Sequence, residues 1–268
     1  MKDILQLFFS YAHSGLKSRF QYTADAIIST MAVFFREAGG VAALYLALLK
    51  FDTINGWTIN EVIFLASILF LTYAIFIMFF MALRDFQDWI KHGDFDRVML
   101  RPRGLLTQLI LCGADWLAVL GHGTLGVLLF LLSANSIGIQ WNFVNALYYI
   151  ITIASGVLIQ GAVFLFFSSL SFYVIETGRL KELFYWNARE FARYPISIYN
   201  RIVQFFMIFL VPFAFVNYFP AQFFLHKPDM AAYPEWCIYL SPLVGVLLYF
   251  AAYLFWRYSL RHYKSTGN

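Results

Sequence analysis

Charge is scarce in this sequence. Asp, Glu, Lys and Arg make up 13% of its 268 residues, where a soluble domain carries about a quarter. So little charge argues against a chain folded in water. Cysteine is rarer still. Cys112 and Cys237 lie far apart in apolar runs and offer neither a disulfide framework nor a paired metal motif. The five histidines are scattered without H-E-x-x-H or any paired spacing, and no Ser, His and Asp stand in a catalytic pattern. No G-x-x-x-x-G-K-[ST] occurs, so the chain has no loop of its own to cradle nucleotide phosphates. These absences lean away from an enzyme. The net charge of +4 forms no single basic patch, which leaves nucleic acid without a footprint. The N-terminus lacks the basic, apolar, small-residue order of a cleaved signal peptide and is expected to be retained.

What is abundant is apolar and aromatic surface: 61% hydrophobic and 21% aromatic residues, with a mean hydropathy of +0.68. A bilayer core about 30 Å thick needs roughly 20 mostly apolar residues per helix. Six runs meet that need, over residues 24–49, 60–83, 114–132, 143–174, 196–219 and 236–256. They are continuous and lack the alternation of barrel strands, so the pattern predicts an all-α polytopic membrane protein with six transmembrane helices. If the N-terminus is placed in the cytoplasm, sixteen Lys and Arg residues fall inside and two, Lys50 and Lys227, outside. That bias places both termini in the cytoplasm. The connections are too short to fold alone, so residues 1–268 read as one domain.

Smaller signals refine the reading. Thr58-x-x-Glu61 is a capping box at the start of the second span, and Trp57 before it suits the aromatic belt. Over residues 1–22, Leu5, Phe8, Phe9, Ala12, Leu16 and Phe20 form one stripe with Lys17 and Arg19 off it. This predicts an interfacial helix; extension of the first span is the alternative. Arg36 and Glu37 sit near the middle of the first span, where charge is costly unless paired or hydrated, and so mark a pathway or a subunit interface. Gly39, Gly40, Ala42 and Ala43 follow and permit close helix approach. Asp115 near a span entrance and His122 within one read as structural. Pro212 predicts a kink. The stretch 219–235, cut by Pro220, Pro228 and Pro234 yet rich in Phe, predicts a re-entrant segment on the outer side.

Two connections carry most of the remaining information. The run HGDFDRVMLRPRG, within residues 84–104, holds Gly93 to end one helix, Asp94 to cap the next, and Pro102 to stop it. Phe95, Val98 and Met99 fall on one face, with Asp96 and Arg97 elsewhere. Such an element lies on lipid, presses into a groove of another protein, or stays a solvated loop. The second connection, 175–195, ends in REFARYPISIY. There Pro195 suits the first turn of the fifth span, and Tyr194 and Tyr199 suit the headgroup layer.

GDFDRVMLRPRG, FFREAGGVAALYLALLKF with INGWTINEV, and ARYPISIYNRIVQFFMIFLVPFAFVNYFPAQFFL resemble, in order and spacing, the ABC-2-type transporter permeases. These are six-span membrane subunits of ATP-driven exporters. The resemblance implies a type V exporter-like transmembrane domain in a bacterial inner membrane, surrounded by lipid. It implies a second permease copy, identical or similar, and a separate ATPase subunit. No cofactor would reside in this chain; ATP and Mg would be held by the ATPase. Residues 84–104 would be the coupling loop, with Phe95, Val98 and Met99 as anchors and Gly93, Asp94, Asp96, Arg97, Arg101 and Pro102 setting register. Arg193, Tyr194, Pro195 and Tyr199 would give a second cytoplasmic contact or the helix start. The competing readings are an ATP-independent carrier or channel, and an intramembrane enzyme. Only Arg36 and Glu37 sit clearly at mid-membrane, and no interrupted pair of spans suggests a carrier site.

Overall fold

A computed structural model describes residues 10, 17, 23–51, 53–101, 104–112, 115–174 and 176–263. The predicted interfacial helix over 1–22, apart from Ser10 and Lys17, lies outside the described residues, as do Pro102 and Arg103. Among the described residues, five long helices are apolar enough to cross a membrane: α1 (Thr23–Phe51), α2 (Ile59–Phe80), α6 (Trp116–Ile137), α7 (Phe143–Leu170) and α12 (Ser241–Leu260). Between α2 and α6 lie three short helices, α3 (Phe86–Lys91), α4 (Asp94–Met99) and α5 (Leu105–Cys112). The predicted first and second spans match α1 and α2 closely. The third runs on to Ile137, the fourth stops at Leu170, and the sixth begins at Ser241, because Trp236 belongs to a separate 3-10 turn, Glu235–Tyr239.

Burial follows hydropathy. The α2 stretch has a mean hydropathy of 2.6 and is apolar all round, so it occupies the centre of the bundle. Its hydroxyls do not oppose this. Ser67 and Thr72 donate to the carbonyls of Phe64 and Leu69 one turn back, at 2.7 and 2.9 Å. Small residues bring the neighbouring helices close. A Cβ on Gly156 would sit 2.6 Å from Thr72 Cγ2, and one on Gly161 would meet the Phe80 ring. Gly156→Val is therefore expected to force α2 and α7 apart at a cost of about 1–3 kcal/mol or more. A lower melting midpoint and loss of the monodisperse peak in detergent would be the readout; an unchanged protein would contradict this packing.

At one end, α1 and α2 are joined by a two-stranded hairpin, β1 (Thr53–Ile54) and β2 (Trp57–Thr58). Asn55 and Gly56 both have positive φ, 50° and 81°, as a two-residue turn of this hand requires. Glu61 accepts the Thr58 amide N–H at 2.8 Å, as the capping pattern predicts. Trp57 is not in a lipid-facing belt. It is fully buried, and its Nε1 donates to Asp229 at 2.8 Å.

The fifth crossing differs from the sequence expectation. Residues Gly178–Lys181 form α8, a π-helical turn covers Glu182–Trp186, and Asn187–Phe191 form α9. The Gly178 amide bonds Gln87, and Lys181 Nζ bonds the Leu83 and Arg84 carbonyls. Further along, the Tyr185 ring stacks on Phe76, the Arg189 guanidinium lies over Tyr73, and the Ser197 carbonyl accepts from Asn55. As this segment counts up from 178 to 197, its partners count down from 87 to 55. It runs antiparallel to α2 from one end of the bundle to the other. Residues 176–195 of the predicted 175–195 connection are thus no surface loop, and Tyr194, Pro195 and Tyr199 lie toward the hairpin end rather than the end bearing Arg84.

The predicted span 196–219 is correspondingly a re-entrant pair. Asn200 caps α10 (Arg201–Phe205) through the Val203 amide at 3.0 Å, so the helix starts there and not at Pro195. A π turn follows to Leu210, and Pro212 marks the predicted break, with a bend of 75° before Phe213–Leu225. The tip at Leu210–Pro212 lines one cavity with Ala162 and Phe184. The chain then returns past Leu65, which accepts from Asn217, into α11 (Tyr218–Leu225). It ends where Lys227 meets Glu61 at 2.9 Å, back at the hairpin end. Among the described residues, five long helices and, by its contacts with α2, the 178–198 segment pass from one end of the bundle to the other, with α1 entering and α12 leaving at the same end.

Candidate functional site

Two places combine exposure, charge and unusual geometry. The first is a cleft of about 600 Å³ between α1, α2, α6 and the fifth crossing. Its mouth, at the end opposite the β hairpin, is lined by Arg84, Asp115 and Glu182. Its deep end holds Arg36, Glu37, His122, Arg189 and Arg193. Glu37 is 5% exposed and takes four partners. Arg193 Nη2 lies 2.6 Å from Oε2, and Arg36 Nη2 3.1 Å from Oε1. His122 Nε2 at 3.5 Å and Arg189 Nη2 at 3.9 Å face the same Oε1. Glu190 joins from the side, 3.2 Å from Arg189 and 3.0 Å from Arg193. Unpaired charge in a low-dielectric interior is very costly, and this mutual pairing is what lets the fifth crossing carry arginines through the bundle.

A smaller cavity of about 380 Å³ continues toward the hairpin end, lined by Gly40, Leu44, Ala66, Tyr194 and Tyr199. It shares Glu190 and Arg193 with the cleft. The Glu37–Arg193 contact thus stands where the two cavities meet. Gly40 is small for a local reason: a Cβ there would lie 2.8 Å from Arg193 Nη1, while one on Gly39 would meet nothing within 4 Å. Of the predicted interior pair, Glu37 is the hub, and Arg36 is largely exposed on the side of α1. His122 and Arg189, read from sequence as packing and loop residues, are members of the cluster.

The second place is the α3–α5 shelf at the end away from the hairpin. Gly93 has φ of +75°, which turns α3 into α4 and favours glycine there. Phe86 and Phe95 meet edge to face at 5.2 Å and pack on Phe172 after α7 and, from α12 and its end, Trp256 and Tyr263. Tyr263 Oη donates to Asp96 Oδ1 at 2.8 Å. Burial, then the Asp96 carboxylate, push this phenol up to about 12, so it keeps its proton across ordinary pH. Phe95 and Val98 are therefore not available as anchors for a partner; they hold the shelf to the bundle. The outer side presents Asp94 and Arg97, paired at 3.5 Å, with Met99 and Leu100, which are 45% and 86% exposed. Arg101 lies beside them and is also exposed. Leu100 does not stand out in the sequence, because helical spacing selects Phe95, Val98 and Met99 as one face, and only the packing shows that Phe95 and Val98 turn inward while Met99 stays at the exposed edge.

A bundle of apolar helices with a charged cleft in its middle and a folded shelf at one end defines a multi-pass α-helical membrane protein. A family model described as ABC-2 family transporter protein matches residues 34–267, nearly the whole chain, and the chain belongs to that family. Comparison with curated proteins and with solved structures gives no match.

Proposed function

We propose that this chain is the permease subunit of an ATP-driven exporter, paired with a second permease and two separate ATPase subunits. The observation that carries the reading is the shelf. Within a chain that belongs to a transporter family, it folds into three short helices, α3 to α5, at the end away from the hairpin. It turns Met99 and Leu100 outward, and it is bonded through Phe95 and Asp96 to the ends of α7 and α12. A partner pressing on it moves the spans. ATP and Mg would be bound and hydrolysed by the ATPase, and the shelf would pass the resulting motion into the bundle.

Orientation follows from charge. Arg84, Lys91, Arg97, Arg101, Arg179, Arg257 and Arg261 gather at the shelf end, against Lys50, Arg201 and Lys227 at the hairpin end. That bias supports a cytoplasmic shelf and cytoplasmic termini. The cleft then opens to the cytoplasm and the smaller cavity to the outside. Glu37–Arg193 would be the closed point between them, and conversion between the two openings would be the transport step. The apolar, largely uncovered face of α1, with Ile27, Ile28 and Met31, is the surface offered to lipid or to the second permease.

Purification from native membranes in mild detergent, with mass spectrometry of what comes along, tests this reading. A stoichiometric soluble protein carrying a P-loop is expected. The chain emerging alone, in detergent that preserves other such complexes, would replace the exporter reading with an ATP-independent carrier.

A further inference from the structure

Among the described residues, the deep end of the cleft does not balance its own charge. Arg36, Arg189 and Arg193 face two carboxylates, Glu37 and Glu190. The next acids, Asp115 and Glu182, each lie seven residues toward the mouth, where Arg84 also stands; that is about 10 Å along a helix. A surplus cation within the membrane span needs a counter-ion.

The geometry says which group is short of partners. Arg189 is 3% exposed. Its Nη1 bonds Glu190, but its Nε and Nη2 have no hydrogen-bond partner among the described residues, and Nη2 stands 3.9 Å from Glu37, beyond hydrogen-bonding range. Its guanidinium is fixed 3.8 Å over the Tyr73 ring, so it cannot swing away to find another acceptor. Arg36 extends into the same cleft with its side chain 68% exposed, and Arg193 completes the set at 18%. A guanidinium donates in a planar fork that matches the oxygens of a phosphate.

We infer that Arg36, Arg189 and Arg193 form a binding site for a phosphate-bearing group within the membrane, entered from the mouth of the cleft. The group is either the headgroup of an anionic lipid or amphiphile, or a free phosphate compound. The site's chemistry is common to both. It rests on the cleft alone, so it stands or falls separately from the ATPase partnership.

The test uses the purified full chain in detergent, without ATPase. Native mass spectrometry and melting midpoints are read with phosphatidylglycerol, with diacylglycerol of the same acyl chains, and with inorganic phosphate against chloride at equal ionic strength. Retention of phosphatidylglycerol over diacylglycerol, with a raised midpoint, is expected if the source is a lipid. A midpoint raised by inorganic phosphate as well assigns the site to free phosphate compounds too. In either case Arg36→Gln is expected to weaken binding by about tenfold, the loss of one charge-assisted contact, while Arg97→Gln on the shelf leaves it unchanged. Because Arg189→Gln risks misfolding, Arg36→Gln on its exposed side chain is the deciding variant. Equal retention of phosphatidylglycerol and diacylglycerol with no response to phosphate, or full binding by Arg36→Gln, would overturn the site.

Discussion

Replacing Glu37 with leucine is expected to be among the most damaging single changes in this protein. It removes the one carboxylate that lies within 4 Å of Arg36, Arg193, Arg189 and His122 together and leaves two arginines buried with Glu190 as the one acid beside them among the described residues. Removing one partner of a buried ion pair costs about 3–5 kcal/mol. The double variant Glu37→Leu with Arg193→Leu removes both members of the 2.6 Å contact. It is expected to lose less than the sum of the single changes, with a coupling of about 1–3 kcal/mol. Denaturation midpoints of the four proteins in one detergent give that coupling directly, and strict additivity would mean that the contact holds nothing. The neutral isostere Glu37→Gln separates folding from transport. It keeps the shape of the hub, so a protein that stays folded but no longer transports would place the pair on the pathway, and a protein that transports normally would confine it to architecture.

The second large effect is a contrast on the shelf. Phe95 is fully buried against Phe86, Phe172 and Tyr263, and Phe95→Ala is expected to cost about 3–5 kcal/mol by opening a void. Leu100 lies five residues on and is 86% exposed. Leu100→Asp is expected to change stability by about 0.5 kcal/mol or less. Under the proposed function it nevertheless weakens ATPase association by about 2 kcal/mol or more, some 30-fold, as loss of an apolar anchor does. Melting midpoints read the first variant and ATPase co-purification reads the second. If Leu100→Asp retained its partner fully, the shelf's outward edge would not be the contact.

The sequence by itself determined the class of this protein. Low charge and long apolar runs admit little but membrane helices, because unpaired backbone in lipid leaves only helices and closed barrels. The capping pattern at Thr58 and Glu61 and the break at Pro212 were equally legible, since each depends on neighbours within a few residues. The shelf was legible as a special element, with Gly93 at its turn. The tertiary structure decided which segment makes the fifth crossing. A stretch holding Lys181, Glu182, Arg189, Glu190 and Arg193 reads as water-exposed, because hydropathy assigns each residue its cost in isolation. Its charges are tolerated only because Lys181 finds the Leu83 and Arg84 carbonyls, and the arginines find Glu37 from α1, 156 residues away in the case of Arg193. Conversely, the apolar 196–219 stretch looks like a span but folds back at Pro212, as Asn217 is held by the carbonyls of Leu65 and Ala192. Long-range pairing of polar groups carries no local periodicity, and for that reason the cleft and its cluster appear only when the helices are brought together.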